Sequence, residues 1–309
     1  MRSITRTGLA TGLAAIALAA LPVSAQQPPA PVTLTAQPVK GGAWRIEGGR
    51  SNTGFVVGDQ GVVVIDTEMT PDTAQKALAA IKGVTPKPIT AVVITHADPD
   101  HVGGLGLYPA VPVLMQENTR NEVLSSAADP NAPAMYRSMY AALLPRLPQD
   151  TVGATRAVTL GGVAMQLMYF GPAHTSGDLA VYLPRQKVVY GGDFLVNTSR
   201  FPIVHLDGST LGWIGAMKAL LALDADTYVP GHGKIESKAQ LRARVQDAET
   251  RRDAIKALVA QGKTLAEIEQ ALPDPSDNPM FLTYTQTVVA ELTKGYQAPL
   301  PPWANVIRR

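Results

Sequence analysis

The stretch Ala91-Val92-Val93-Ile94-Thr95-His96-Ala97-Asp98-Pro99-Asp100-His101-Val102-Gly103-Gly104 places four metal-binding side-chain types, His96, Asp98, Asp100 and His101, within one short loop. Imidazole and carboxylate donors together suit zinc, iron or manganese. A divalent ion held there polarises bonds and acidifies bound water, which is the chemistry of hydrolysis. The bland alternative is a polar turn after a strand, in which Asp98 and Asp100 cap the next helix.

Three further sites repeat the pattern of an apolar run that breaks off at glycine and a donor. His174 sits in Phe170-Gly171-Pro172-Ala173-His174-Thr175-Ser176-Gly177-Asp178, Asp193 follows Val188-Val189-Tyr190-Gly191-Gly192, and His232 sits in Tyr228-Val229-Pro230-Gly231-His232-Gly233. Of the five histidines in the chain, four therefore fall at strand or loop punctuation. Histidines scattered through a core have no reason to choose the C-terminal ends of strands, whereas α/β enzymes gather their chemistry at that edge. His205 fits none of these patterns; a pocket or surface position is all that it suggests.

These residues, in this order, resemble the metallo-β-lactamase superfamily, whose first motif is His-x-His-x-Asp-His, followed by a distant His, a bridging Asp and a last His. The matching positions are His96, Asp98, Asp100, His101, His174, Asp193 and His232, and the resemblance covers roughly residues 41–233. It implies one metal held by His96, Asp98 and His174, a second held by Asp100, His101 and His232, and Asp193 bridging them. Zinc, two ions per chain, is the cofactor it implies, with a hydroxide completing the bridge as nucleophile. Asp100 then counts among the catalytic residues, and no Ser-His-Asp triad is needed.

Asp98 departs from the motif, since the family usually has a second histidine there. Three consequences stay open. The carboxylate makes a harder first site that shifts preference to iron or manganese; it ligates zinc through oxygen at about 2.0–2.2 Å; or it falls short, leaving one zinc on Asp100, His101 and His232. The flavodiiron branch of the superfamily carries Glu at the matching position and binds two irons. On the zinc reading, Asp98→His leaves activity intact or raises it.

Stepping the chain out from these loops, Trp44–Glu47, Thr53–Gly58 and Gly61–Asp66 read as strands, and Pro71 opens a helix to about Lys82 with Ala74, Ala77, Leu78 and Ile81 on one face. Asp66 ends a strand near the site, where the resemblance implies a supporting residue rather than a ligand. Val111–Met115 is a strand, Glu117–Ala128 and Ala132–Leu144 are helical, and a hairpin turns at Gly161-Gly162 between 154–160 and 163–170. Strands follow at 179–183, 187–190 and 227–229, with an amphipathic helix at 210–223. Beyond His232 come helices at 237–261, 265–272 and 281–294. Strands alternating with helices in two sheet-rich halves fit an α+β chain, the αβ/βα four-layer sandwich with two mixed sheets flanked by helices that the resemblance implies.

The helices at 117–144 read first as packing against the body. A sharper reading makes them a lid, with Tyr136 or Tyr140 touching substrate. Many β-lactamases of the superfamily use a Lys shortly after the bridging Asp to bind the drug's carboxylate; Phe194–Ser199 has none, and Arg200 is the nearest cation.

Residues 1–25 read as a secretory signal: Arg2 and Arg6, an apolar run from Gly8 to Leu21, and Val23-Ser24-Ala25 as cleavage site. Residues 26–40, with several prolines, read as a disordered linker, and 41–300 as the catalytic domain with its C-terminal helices. A periplasmic or secreted location follows, with no stable membrane span after cleavage. The absence of cysteine suits export and excludes thiol chemistry and Fe–S clusters. A formal charge of +2 with scattered Lys and Arg gives no reason to expect nucleic acid. The expected partner is a small-molecule substrate. The leading function is an exported metal-dependent hydrolase that cleaves an ester, amide, lactone, lactam or phosphodiester; a di-iron or manganese redox protein and a single-metal accessory or binding protein are the alternatives.

Overall fold

Val62-Val63-Val64-Ile65 shows how the core is divided, because all four side chains are buried while successive strand residues point to opposite faces. Val62 and Val64 join a cluster with Ala77, Ile81 and Val123 of neighbouring helices. Val63 and Ile65 join another with Val181, Leu183 and Val188 of a second sheet. The run is a strand buried on both faces, which is why it reads as continuously apolar.

The computed structural model describes residues 32–274 and 281–295. The first sheet runs β1 (Thr35–Lys40), β2 (Ala43–Glu47), β3 (Thr53–Val57), β4 (Val62–Ile65), β5 (Ile89–Val93) and β6 (Val113–Leu114), neighbours in that order. Its first four strands are antiparallel, and β4, β5 and β6 are parallel. The second sheet holds β7 (Thr155–Leu160), β8 (Val163–Met168), β9 (Ala180–Leu183), β10 (Val188–Tyr190), β11 (Thr227–Val229) and β12 (Glu236–Ser237), again in sequence order across the sheet. It too begins antiparallel and then adds a parallel pair, β10 with β11. The two halves that the sequence suggests are therefore present, each a meander that turns parallel where the chemistry begins.

Helices α1 (Pro71–Val84), α3 (Glu117–Ala128) and α4 (Ala134–Leu143) cover the outer face of the first sheet. The outer face of the second is covered by α5 (Thr210–Ala222), α6 (Lys238–Ala260), α7 (Leu265–Ala271) and α8 (Tyr284–Lys294). A third cluster fills the space between the sheets. This is the four-layer αβ/βα sandwich. The short helix α2 (Pro99–Val102) lies inside the metal-type loop. Among the described residues no helix is long and apolar enough to cross a membrane.

One correction concerns the linker expected over 26–40. Thr35–Lys40 is a strand, paired antiparallel with β2 from Thr35 opposite Glu47 to Lys40 opposite Ala43. Its proline made it read as linker, but β1 is an edge strand and its register shifts between Pro38 and Lys40, the setting in which a residue without an N–H is tolerated. The signal at 1–25 and the first residues of the linker lie outside the described residues. The helix at 210–223 also differs from an amphipathic surface element: Trp213, Ile214, Ala216, Met217 and Leu220 are all buried, because α6 and α8 pack over it.

Candidate metal centre

The parallel strands β5, β10 and β11 each deliver a donor at one edge. His96 lies just beyond β5, Asp193 in the turn Gly192–Leu195 after β10, and His232 after β11. His174 comes from the β8–β9 connection. Asp98 occupies the N-cap position of α2, yet its side chain makes no capping hydrogen bond. Its carboxylate turns instead to the imidazoles, 3.5 Å from both His96 Nε2 and His174 Nε2, and the simple capped-turn reading of this loop fails there.

Two groups form. His96, Asp98, His174 and Asp193 present ligand atoms all within 4.8 Å of one another, and so do Asp100, His101 and His232. Asp193 reaches both: its Oδ1 is 3.2 Å from His101 Nε2, and its Oδ2 is 3.3 Å from His232 Nε2 and 3.9 Å from His174 Nε2. Asp100 Oδ2 is 3.0 Å from His232 Nε2 and 3.8 Å from His101 Nε2.

Supporting hydrogen bonds aim the rings. Asp66 accepts from the Thr95 backbone N–H and hydroxyl, both at 2.8 Å, and from His101 Nδ1 at 2.9 Å. The Thr95 hydroxyl proton is thereby committed, so Nδ1 of His96, 2.9 Å from the same oxygen, must be the donor in that contact. His174 Nδ1 donates to the Ile203 carbonyl at 2.8 Å. In His96, His101 and His174 the Nδ1 proton is held by a partner outside the cluster, so Nε2 is the nitrogen turned towards it. This is the arrangement of metal-ligating histidines.

The fit of the residues to metal ions is tested by what the cluster leaves unpaired. His96 Nε2, His174 Nε2, Asp98 Oδ1 and Asp193 Oδ1 are buried and make no hydrogen bond. Buried polar atoms are ordinarily satisfied, and four orphans within one cluster of donors mark the place of a missing partner. That partner is a cation of the kind oxygen and nitrogen donors bind. Burial opposes ionisation throughout, yet His205 and His96 hold Asp98 well below the usual carboxylate range, and His232 and His101 do the same for Asp193. Against the same burial, neighbouring carboxylates push His174 and His232 up to about 10. The cluster thus attracts positive charge strongly.

The structure adds residues that sequence reading missed. Asp178 accepts from the Thr175 N–H and hydroxyl at 2.8 Å, which shapes the turn carrying His174; the Thr-Ser-Gly-Asp pattern is a readable signal for such a turn. Ser176 donates its N–H to Asp207 at 3.0 Å and its hydroxyl to Glu122. Burial pushes Asp207 up to about 6 and Glu122 well above the usual range. Their long sequence separation hid them. His205 lies in the centre as well, its Nε2 3.7 Å from Asp98 Oδ2 and its ring 4.3 Å from that of His174. Burial, with the neighbouring His174 and His96, pulls it down to about 4 against the upward pull of Asp98.

The expected substrate contacts fare differently. Tyr140 is fully buried and donates its hydroxyl to the Ala97 carbonyl at 3.0 Å. A hydroxyl enclosed under the metal-type loop does not meet substrate, and Tyr140 instead props that loop from below. Tyr136 is half-buried against the first sheet's outer cluster, as in the packing reading of these helices. Arg200 lies 3.4 Å from Asp247 on α6, its guanidinium 5.1 Å over the Phe201 ring.

Gly231 shows how closely backbone approaches the centre: a Cβ there would stand 2.2 Å from Asp193 Oδ1 and 2.6 Å from His101 Cε1. Gly231→Ala is expected to displace Asp193 and weaken metal binding by about 10- to 100-fold while the fold persists. Calorimetric titration of the metal-free variant, with circular dichroism as control, checks this.

The comparisons with known proteins agree with this geometry. The family model of the metallo-beta-lactamase superfamily matches residues 46–232, from β2 to the last histidine of the centre. The 2,4-dinitroanisole O-demethylase subunit alpha of Nocardioides sp. (strain JS1661) is 31% identical over 203 residues, covering 65% of this chain and 58% of that protein. The linear primary-alkylsulfatase of Pseudomonas sp. (strain ATCC 19151) is 25% identical over 212 residues, covering 57% of this chain and 40% of that one. The chain thus spans about half the length of these curated relatives. In fold, a stereoselective inverting sec-alkylsulfatase, Pisa1 from Pseudomonas sp., superposes with a TM-score of 0.65 at 20% identity, over 85% of this chain and 51% of the other. A family match that begins in the first sheet and closes on His232 spans every donor of both groups, and the chain belongs to the metallo-β-lactamase superfamily.

Proposed function

We propose that the protein is a two-metal hydrolase of a small, oxygen-linked ester, with one ion on His96, Asp98 and His174, the other on Asp100, His101 and His232, and Asp193 between them. The observation that carries this is the pair of converging groups that share Asp193 through its two oxygens. When bound, such ions supply Lewis acidity and a nucleophilic water whose pKa falls from about 15.7 to about 7.

The chain's own residues do the rest. Asp66, Thr95 and Ile203 fix the three Nδ1 atoms, so the ligand nitrogens are ready before an ion arrives. Among the carboxylates that converge here, Asp100 is the most open, with its side chain 24% exposed beside His232 at 26%. Substrate therefore enters on the Asp100/His232 side, and Asp100 is placed to accept a proton from water that meets the substrate there. The buried group around His96 and His174 holds its geometry away from solvent.

The choice of an oxygen-linked ester draws on the alkylsulfatase relative rather than on a pocket shape. Lactones, β-lactams, amides and phosphodiesters remain in the test. A second reading concerns the metal. His96, His174, Asp98 and Asp193 make a two-nitrogen, two-carboxylate set, harder than a histidine-rich one, which favours iron or manganese over zinc in that position. Export to the periplasm or beyond rests on the leader pattern at 1–25.

Metal analysis of protein purified without chelator or added metal, followed by a panel of alkyl and aryl sulfates, carboxylic esters, lactones, amides, β-lactams and phosphodiesters, tests the reading. About two divalent ions per chain and turnover of a sulfate or carboxylic ester are expected. Fewer than one ion, unchanged by added zinc, manganese or ferrous iron, overturns it.

A further inference from the structure

We propose that His205 is a ligand of the first ion and supplies the imidazole that Asp98 takes away from the family's motif. The inference rests on the paired-ion reading above and adds a residue that the motif does not contain.

Three imidazole nitrogens surround one oxygen. Asp98 Oδ2 is 3.5 Å from His96 Nε2, 3.5 Å from His174 Nε2 and 3.7 Å from His205 Nε2. These separations exceed a good N–H···O hydrogen bond, which ends near about 3.2 Å. They lie close to the edge of a coordination shell, since ligands at about 2.0–2.1 Å from a tetrahedral ion stand roughly 3.3 Å apart. All three Nε2 atoms are buried and unpaired, and His205 is orphaned at Nδ1 too. A fully enclosed imidazole with no partner at either nitrogen is costly to the fold, and a bound cation removes that cost at Nε2.

The loop that carries His205 is built to hold it. The His205 N–H donates to the His174 carbonyl at 2.8 Å, the Ile203 carbonyl accepts from His174 Nδ1 at 2.8 Å, and the Ser209 N–H donates to the Ala173 carbonyl at 2.9 Å. The two histidine-bearing loops are thus laced together, and the rings lie 4.3 Å apart at an interplanar angle of 48°. Gly208 belongs to the same device: a Cβ there would stand 2.4 Å from the His174 carbonyl oxygen. His205 stands beside the mutually convergent group of four rather than within it, and it meets that group through Asp98. The short carboxylate at 98 makes room for this. Asp98→His alone would crowd a further ring against His96, His174 and His205, so it is expected to lower metal binding, contrary to the simpler expectation from the motif.

The test is titration of the metal-free protein with Co2+, read by calorimetry and by the visible ligand-field spectrum. Wild type is compared with His205→Ala, His205→Leu and the double variant Asp98→His/His205→Ala. His205→Leu fills the enclosed space with apolar atoms and keeps the fold testable if the alanine variant is unstable. One ion should bind at least about 100-fold more weakly in both single variants, with a changed spectrum, and the double variant should recover to within about tenfold of wild type. Unchanged affinities and spectrum in His205→Ala or His205→Leu overturn the proposal. A wild-type protein that takes up one ion overturns the paired-ion reading instead, and the inference is then decided by whether that ion's spectrum changes with His205.

Discussion

Asp193→Ala is expected to abolish hydrolysis and to lower the affinity for both ions together. Asp193 is the one donor whose two oxygens face both groups, Oδ1 towards His101 and Oδ2 towards His232 and His174. Removing any other carboxylate leaves one group whole. Lewis-acid stabilisation by a metal is worth several kcal/mol, and about 4 kcal/mol corresponds to roughly a thousandfold in rate. A drop of at least that size is expected for the alanine variant. In the metal-free protein relief of repulsion on Asp100 is opposed by loss of the carboxylate that most strongly holds up His101 and His232, so a lower melting temperature is expected without loss of the fold. Metal titration and steady-state rates check the two halves of this expectation. Full turnover with two ions bound would rule out the shared-ligand mechanism.

The second large effect is expected at a residue that never touches an ion. Asp66→Asn replaces a carboxylate that accepts three hydrogen bonds, from the Thr95 N–H, the Thr95 hydroxyl and His101 Nδ1. An amide offers one oxygen and one NH2 group. If the NH2 group takes the place of Oδ2, it demands an acceptor at His101 Nδ1, which moves the ring proton to Nε2 and blocks the ligand lone pair. If it takes the place of Oδ1, it opposes the Thr95 N–H. In either orientation a buried donor loses its partner, at about 1–3 kcal/mol. Metal affinity should fall about 10- to 100-fold, chiefly at the Asp100/His101/His232 group. Thermal melting of the metal-free protein and Zn2+ titration separate the two costs. An unchanged Zn2+ affinity would show that the ring proton is placed by something other than Asp66.

What was legible in the chain was chemistry concentrated at strand ends. His96, Asp98, Asp100 and His101 share one loop, and Asp193 and His232 each follow an apolar run with glycine, so type and spacing alone brought them forward. The two sheet-rich halves were legible too, because strands such as Val62–Ile65 read as apolar throughout, while their pairing into two mixed sheets was implied by the family resemblance. The misses have a different physical origin. Pro38 hid an edge strand, since only pairing with β2 reveals that its missing N–H is not needed. Tyr140 looked like a pocket residue because helical spacing cannot tell a ring that faces substrate from one that reaches under the metal-type loop to the Ala97 carbonyl. His205 carried no local signal at all, and only the hydrogen bonds between its loop and His174 bring it to Asp98.

The donors are divided between the two sheets in a way that concerns assembly. His96, Asp98, Asp100 and His101 hang from the first sheet, and His174, Asp193 and His232 from the second. Either half by itself presents an incomplete set of donors, so neither can retain an ion tightly before the other has docked. Selection of the ion is therefore postponed until the halves have met, and an ion captured then acts as a rivet across their seam. The Asn52 N–H and side chain, which bond to the Gly231 and Pro230 carbonyls, lie along that same seam. The free energy of metal capture therefore adds to that of joining the halves.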